Sequence, residues 1–443
     1  MRPMPGSDPL RVAILGAGTV GGAVVRGFVE HPARLAPVDG ARLELVAVAE
    51  RLADRAIAAG VPAGLLVDDP AGLVVDPAVD VVVELLGGDE PARSLVAAAL
   101  EAGKHVVTAN KHVIAHHGPE LEAIARRCGT ALRFEAAVGG GIPVLSPLAA
   151  DLAANEVRQV RGILNGTTNF ILTAMRDGGR DYAEVLAEAQ AMGYAEADPR
   201  GDVEGDDAVN KIVILARIAF GAWLRPEDAA VAPPTLRGAG RPGITGVSRD
   251  EIAAATRLGL CLKLVAMAER DSAGRPAASV VPSALDREVP LGRTDGVLNR
   301  IEVVAEPVGT VAFAGPGAGG DATSSAVLGD LLALARGGGS TWAGLPPAGA
   351  LPVASQAAGA AVLDVAVSNV AVTGAGLRAW FALLPGADPV AVRATAGEEL
   401  VAAASVAGGA AVRTVAMPLE RARALMAAAF PGIVDAPLYP VLS

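Results

Sequence analysis

The sequence predicts an α/β protein in which a doubly wound, parallel-sheet domain leads into an α+β domain with a mixed sheet. Two observations carry that expectation. The first third alternates short apolar β-runs with stretches of helical spacing, the pattern of βαβ units. The middle third holds separate apolar runs, Val157–Leu164, Leu262–Met267 and Val303–Val304, with helical stretches between them. A length of 443 residues leaves room for two or three domains, and 52% hydrophobic against 19% charged residues supports large cores of Ala, Val and Leu.

Charge and composition exclude several classes. A formal net charge of −11 with no basic stripe speaks against a nucleic-acid partner, because nothing supplies cations for phosphates. The opening MRPMPGSDPL lacks the apolar core of a signal peptide. Longer apolar stretches are broken by Gly, Pro or charge within about 18 residues, short of a bilayer span. No membrane partner is expected, and the cytoplasm is the expected compartment. Cys128 and Cys261 lie in helical surroundings without CxxC spacing and read as buried, reduced thiols.

The chain opens on an apolar run, Arg11–Leu15, then Gly16-Ala17-Gly18-Thr19-Val20-Gly21, then a helical pattern to Glu30. Strand, G-x-G-x-x-G and helix in this order form the dinucleotide-binding fingerprint of a Rossmann-type domain. Gly16 serves the tight turn, Gly18 the approach of backbone to pyrophosphate, and Gly21 the packing of helix on strand. Thr19 and Val20 open the helix whose free N–H groups face the phosphates. The second strand, Leu43–Ala49, ends at Glu50-Arg51. An acid there favours NAD through the ribose 2′-hydroxyl and an arginine favours the 2′-phosphate of NADP, so the cofactor is NADP or NAD.

Further along, Asp80–Leu86 reads as a buried strand, Pro91–Ala102 as its crossover helix and His105–Thr108 as the next strand. Ala109-Asn110-Lys111 then sits at the carboxyl end of a strand, where doubly wound sheets bind ligands. His112, His116 and His117 follow, with no acid or cysteine at a matching local spacing, and read as surface histidines. Ala131–Val138 reads as a strand running into Gly139-Gly140-Gly141-Ile142-Pro143, a turn whose main-chain groups can face a ligand. Val157–Leu164 runs into Asn165-Gly166-Thr167-Thr168-Asn169, a strand-to-helix turn rich in small polar groups.

The stretch Gly193–Lys211 concentrates six carboxylates, one arginine and a lysine in nineteen residues. Asp198-Pro199, Gly201 and Gly205 shape it as a loop, and the apolar run Asp207–Phe220 with helical spacing follows. Asp207 and Lys211 are therefore i,i+4 neighbours on one helix face. Eleven specified positions over twenty-three residues form one pattern: Ala189, Gly193, Tyr194, Ala195, Asp198, Pro199, Asp202, Val203, Gly205, Asp207 and Lys211. This pattern resembles the signature of homoserine dehydrogenase, and the resemblance is continuous from Val12 to about Asp330. VGGGIP, ILNGTTN and the glycine run Gly315–Gly320 belong to it.

The resemblance implies a set of roles. Lys211 would be the proton donor and acceptor, with Lys111 near nicotinamide and substrate and Asp207 completing the catalytic group. Glu196, Asp202, Asp207 and Lys111 would bind the amino-acid substrate. Gly193 and Gly319 would join Gly16, Gly18, Thr19, Val20, Gly21, Arg51 and Lys111 around the coenzyme. Glu135, Val138, Gly140 and Ile142 would hold a sodium-like monovalent cation through hard oxygen ligands. The implied reaction interconverts L-homoserine and L-aspartate 4-semialdehyde with NADP or NAD, in a homodimer or homotetramer. The expected domains are 1–143 with 306–336 for the dinucleotide and 144–305 for substrate, catalysis and dimerisation.

Gly337–Gly359 reads as a Gly/Pro/Ala linker to a last domain, 360–443. There Leu377–Leu384 reads as a strand, Asp388–Val401 as a helix, Ala411–Pro418 as a strand and Leu419–Ala429 as a helix. That order resembles an ACT-like α+β regulatory domain, which implies feedback by threonine. The usual D-x-P-G-V turn is replaced by Leu384–Val390, LPGADPV. No aspartokinase fusion is expected, since little chain precedes Val12. Two rivals remain open on the sequence: a dehydrogenase of another small amino or hydroxy acid, and a non-catalytic nucleotide-sensing regulator.

Overall fold

The computed structural model describes residues 9–35, 42–235, 238–270, 274–347, 378–429 and 436–442. The chain divides into two compact units. One consists of Met1–Glu156, Arg217–Trp223 and Gly315–Leu351, the other of Val157–Ala216, Leu224–Ala314 and Pro352–Ser443.

The first unit is built on six parallel strands: β1 Leu10–Leu15, β2 Leu43–Ala49, β3 Leu66–Val67, β4 Val81–Glu84, β5 His105–Thr108 and β6 Leu132–Arg133. Their order, β3-β2-β1-β4-β5-β6, is that of a doubly wound sheet with its switch point between β1 and β4. Val and Ile runs suit strands covered on both faces, and β4, VVVE, is buried throughout. Val24 and Val25 of the helix Thr19–Glu30 and Val327 and Leu331 of the helix Gly320–Ala335 share one core with Val12, Ile14, Val81 and Val83.

Two expectations for this unit need correction. The strand foreseen over Ala131–Val138 ends at Arg133, and a single 3₁₀ turn occupies Glu135–Ala137. Arg133 and the Glu135 N–H both bond to buried Asp330, at 2.7 and 2.9 Å, and these bonds take the place of further strand pairing. Cys128 is exposed, against the buried thiol foreseen, while Cys261 is buried but lies in a strand of the other unit, Leu260–Arg270, not in helical surroundings; both are free thiols. Cys128 is the last residue of the helix Lys111–Cys128, beside the left-handed Gly129 that ends it, and so stands at an open helix end. The same helix buries Glu122 against Arg217 at 2.6 Å, with Trp223 Nε1 donating to the carboxylate at 2.8 Å.

The second unit carries β7 Glu156–Ile163, β8 Leu260–Arg270, β9 Pro276–Asp286, β10 Leu298–Glu306, β11 Gly309–Pro316, β12 Ala379–Pro385, β13 Leu400–Val406, β14 Gly409–Thr414 and β15 Tyr439–Leu442. They form one mixed sheet, ordered β11-β10-β7-β8-β9-β15-β12-β14-β13. β8 and β9 make its centre, an antiparallel hairpin paired from Leu260↔Asp286 to Arg270↔Pro276. β15 pairs parallel with β9 and antiparallel with β12, so the C-terminal strands continue the same sheet. The helix foreseen over Asp388–Val401 is shorter: it spans Pro389–Ala396 and stops where Gly397 takes φ 55°, and β13 begins at Leu400. Most of the proposed linker, from residue 348 onward, lies outside the described residues, as does Leu377.

Candidate active site

In the first unit β1 delivers the chain into the glycine turn, and the helix Thr19–Glu30 starts with Gly18 as its N-cap, without a side-chain cap. A Cβ at Gly21 would fall 1.9 Å from the Gly16 carbonyl oxygen, so only glycine lets the helix sit on this turn. A cavity of about 580 Å³ opens beside it, lined by Ala17, Gly18, Thr19, Gly22, Arg26 and Arg55 among others. Val20 is half-buried on the same helix and Arg51 is exposed at the end of the second strand. Gly319 caps the helix Gly320–Ala335, and a Cβ on Gly320 would lie 2.8 Å from the Thr19 carbonyl oxygen. The late glycine run thus returns to the first one. Uncapped N–H groups at a glycine turn suit a pyrophosphate, the part of a dinucleotide that seeks backbone donors.

At the carboxyl ends of β4 and β5 the structure assembles a network that the sequence did not reveal. Glu84 is fully buried, accepts from Thr108 Oγ1 at 2.6 Å and from the Leu86 N–H at 2.9 Å, and so ties β4 to β5. Asn110 donates to the Gly88 carbonyl at 2.9 Å and caps the helix that begins with Lys111 by accepting from the Val113 N–H. Lys111 is half-buried at that helix start. The one visible signal was a lone carboxylate ending an otherwise apolar VVVE run. His117 Nε2 lies 2.7 Å from Asp89, an acid brought from a separate loop. Among the described residues no group of three or more His, Cys, Asp or Glu is arranged to hold a metal ion.

Glu135 spends its carboxylate on a chain turn. Oε1 accepts from the Val144 and Leu145 N–H groups and Oε2 from that of Ser146, each at 2.7 Å. The turn itself is closed by the Ile142 N–H to the Gly139 carbonyl and the Val138 N–H to the Glu135 carbonyl. The carbonyls of Val138, Gly140 and Ile142 stay outside those bonds.

In the second unit β7 ends at Ile163, and Leu164-Asn165 turn the chain into the helix Gly166–Gly178. Asn165 caps that helix: its Oδ1 accepts from the Thr168 N–H at 2.8 Å. Its amide then points away from the helix and donates to Asp202 Oδ1 at 2.7 Å and to Asp207 Oδ2 at 2.9 Å. Asp207 opens the helix Asp206–Phe220, and one turn later Lys211 Nζ donates to Asp207 Oδ2 at 2.7 Å and to the Leu164 carbonyl at 2.6 Å. The ion pair is almost closed to solvent, with side chains 9% and 11% exposed. Two of the three ammonium N–H bonds are taken, which leaves one to aim at a bound molecule.

Asn299, on β10 and buried, donates to the same Leu164 carbonyl at 2.9 Å. Its own Oδ1 is buried and has no hydrogen-bond partner among the described residues. Burial, and then the charge of Asp207, push the Asp202 carboxyl above its ordinary range, against the pull of Asn165 and Lys211. Asp202, Asp207 and Lys211 are therefore brought together; helix spacing led one to expect the Asp207–Lys211 pair, and the family resemblance added Asp202. Asn165, Leu164 and Asn299 complete the cluster. Glu196 and Gly193 are not bonded into it: both lie exposed on the preceding loop, where the Glu196 carbonyl accepts from Gln190 and Gly193 has φ 75°.

Comparison with known proteins bears on both halves. Residues 16–135 match the family model described as homoserine dehydrogenase, NAD binding domain, and residues 143–332 match the model for homoserine dehydrogenase. A homoserine dehydrogenase of Synechocystis is 42% identical over 327 residues, 73% of this chain and 72% of that protein. A crystal structure of a homoserine dehydrogenase from Thiobacillus denitrificans superposes with a TM-score of 0.81 at 32% identity, covering 98% of this chain and 99% of the other. A hyperthermophilic archaeal homoserine dehydrogenase in complex with NADPH is similar over 74% of this chain and 97% of its own, with a TM-score of 0.61 and 26% identity.

Proposed function

The chain belongs to the homoserine dehydrogenase family, and on that premise we propose how its residues divide the work of interconverting L-homoserine and L-aspartate 4-semialdehyde. It is an NAD(P)-dependent oxidoreductase of amino-acid biosynthesis. The observation that carries the assignment of roles is the buried ammonium of Lys211, held by Asp207 and the Leu164 carbonyl with one N–H bond left over. A bound nicotinamide supplies the hydride-transfer chemistry. Lys211 Nζ donates the proton that the aldehyde oxygen needs on reduction, and takes it back from the hydroxyl on oxidation. Asp207 holds that amine in one position. Asp202 and Asp207, steadied by the Asn165 amide, and Glu196 from the exposed loop receive the substrate ammonium. Lys111, at the carboxyl end of β5, stands where doubly wound sheets meet their ligands and serves substrate and coenzyme together.

The glycine turn with Gly16, Gly18, Thr19, Val20 and Gly21 holds the pyrophosphate, with Arg51, Gly193 and Gly319 as further coenzyme contacts. The Val138, Gly140 and Ile142 carbonyls, with Glu135 bracing the turn, fit a sodium-like cation, which prefers neutral hard oxygens. The C-terminal segment supports an ACT-like domain: its order β12, helix, β13, β14, helix, β15 and its strand order β15-β12-β14-β13 are those of a split βαβ fold. The region 144–305 is taken as the substrate and dimerisation domain of a cytoplasmic homodimer or homotetramer. Among the described residues no helix is long and apolar enough to cross a membrane. The test is an assay of aspartate semialdehyde reduction with NADPH and then NADH. Turnover with either supports the reading, and faster reduction of some other small aldehyde would overturn it.

A further inference from the structure

The sequence sets Glu50 against Arg51 at the ribose end of the coenzyme site, and the structure removes that opposition. Glu50 is turned inward, 7% exposed, with Oε2 accepting from the Ala17 N–H and Oε1 from the Leu52 N–H, both at 3.0 Å. Its oxygens serve the glycine turn. Each oxygen already holds one backbone donor, and with only 7% of the side chain exposed little of the carboxylate is open to a ribose 2′-hydroxyl. Burial works against the carboxylate, but the Leu52 and Ala17 N–H groups and Arg55 hold it below its ordinary range, so it stays charged as part of the scaffold.

Arg55 stands beside it. Its Nη1 lies 3.9 Å from Glu50 Oε2, close enough to offset the charge and too long for a hydrogen bond. The guanidinium is 53% exposed and lines the cavity whose other wall is Ala17, Gly18 and Thr19. Of the two arginines at this corner, exposed Arg51 ends the second strand and Arg55 stands in the cavity wall, where no hydrogen bond ties its guanidinium to the Glu50 carboxylate. A planar fork of N–H donors with a free edge is the group that recognises a phosphate bidentately.

We infer that Arg55 is the residue that makes this site select the 2′-phosphorylated coenzyme, NADP, over NAD, with Glu50 serving the glycine turn and taking no part in the choice. The inference rests on the family reading above and deepens it. The test measures dissociation constants of NADPH and NADH by titration calorimetry on the full chain, wild type and Arg55→Ala. The wild type should bind NADPH roughly tenfold or more tightly than NADH, and Arg55→Ala should lose about that factor for NADPH while NADH changes less than about twofold. Adenosine 2′,5′-bisphosphate should compete with NADPH on the wild type and do so at least about tenfold less well on the variant. An Arg55→Glu variant, folded as judged by its thermal melt, should invert the preference. An unchanged NADPH to NADH ratio in Arg55→Ala, or tighter NADH binding by the wild type, overturns this inference alone. Binding of neither coenzyme by the wild type would overturn the family reading with it.

Discussion

Replacing Lys211 tests the two duties proposed for it, proton transfer to the substrate oxygen and charge pairing with Asp207. As a proton donor and acceptor it is worth about 10²- to 10⁴-fold in kcat, roughly 3 to 5 kcal/mol of barrier. As the partner of Asp207 it neutralises a carboxylate only 11% exposed, and breaking such a pair costs about 3 to 5 kcal/mol of stability. Lys211→Ala should therefore lose both, with a lower melting temperature and a kcat down by at least about a hundredfold. Lys211→Arg keeps the charge beside Asp207 but cannot release a proton near neutral pH, so it should recover most of the stability and little of the turnover. Coenzyme affinity should hold in both, since the glycine turn belongs to the other compact unit. Steady-state kinetics on homoserine, a thermal melt and an NADPH titration on the same preparations make the comparison. Turnover by Lys211→Arg within about threefold of wild type would refute the proton role, whatever the melt gives.

Asn299→Leu takes one of two donors from the Leu164 carbonyl that steadies Lys211; kcat should fall about five- to tenfold, the worth of one net hydrogen bond, with KM for homoserine little changed. A raised KM at constant kcat would contradict that positioning role. Glu269 is pushed up by burial to about 7 from an ordinary 4.5, so the fold holds a proton that the unfolded chain gives up, and stability falls as pH rises from 4.5 to 7. Glu269→Gln should flatten that slope in urea titrations across this range; equal slopes in wild type and variant would exclude it. Glu122→Ala strands the fully buried Arg217 and should cost about 3 to 5 kcal/mol of stability, against a loss under about 1 kcal/mol for an exposed pair such as Arg200–Asp198.

The first unit was largely legible because periodicity and glycine spacing report directly on parallel strands and their turns. β2 and β5 fall where the apolar runs place them, Leu43–Ala49 and His105–Thr108. β9 and β11 were not foreseen. Pro276, Pro282 and the flanking Gly309 and Pro316 read as breakers, yet Pro282 pairs opposite Leu264 in the centre of the sheet. Of the candidate site, the i,i+4 pair Asp207 and Lys211 was visible because helix geometry fixes it. Glu84 and Asn299 were not, since their partners Thr108 and Leu164 lie 24 and 135 positions away and only folding brings them close. Glu50 shows the converse: its identity was plain, and which atoms it would face was not.

The placement of β15 sets a condition on how the second unit can be made. Val441 and Leu442 lie against Ala284 and Leu285 on one side, and Tyr439 lies against Phe381 on the other. Strands separated by about a hundred positions are thus clamped by a four-residue peptide near the end of the sequence. During synthesis β9 must wait with an open edge until residue 442 emerges from the ribosome. That interval exposes an eleven-residue template for mispairing, and it is a reason for growth temperature and chaperone supply to govern the soluble yield.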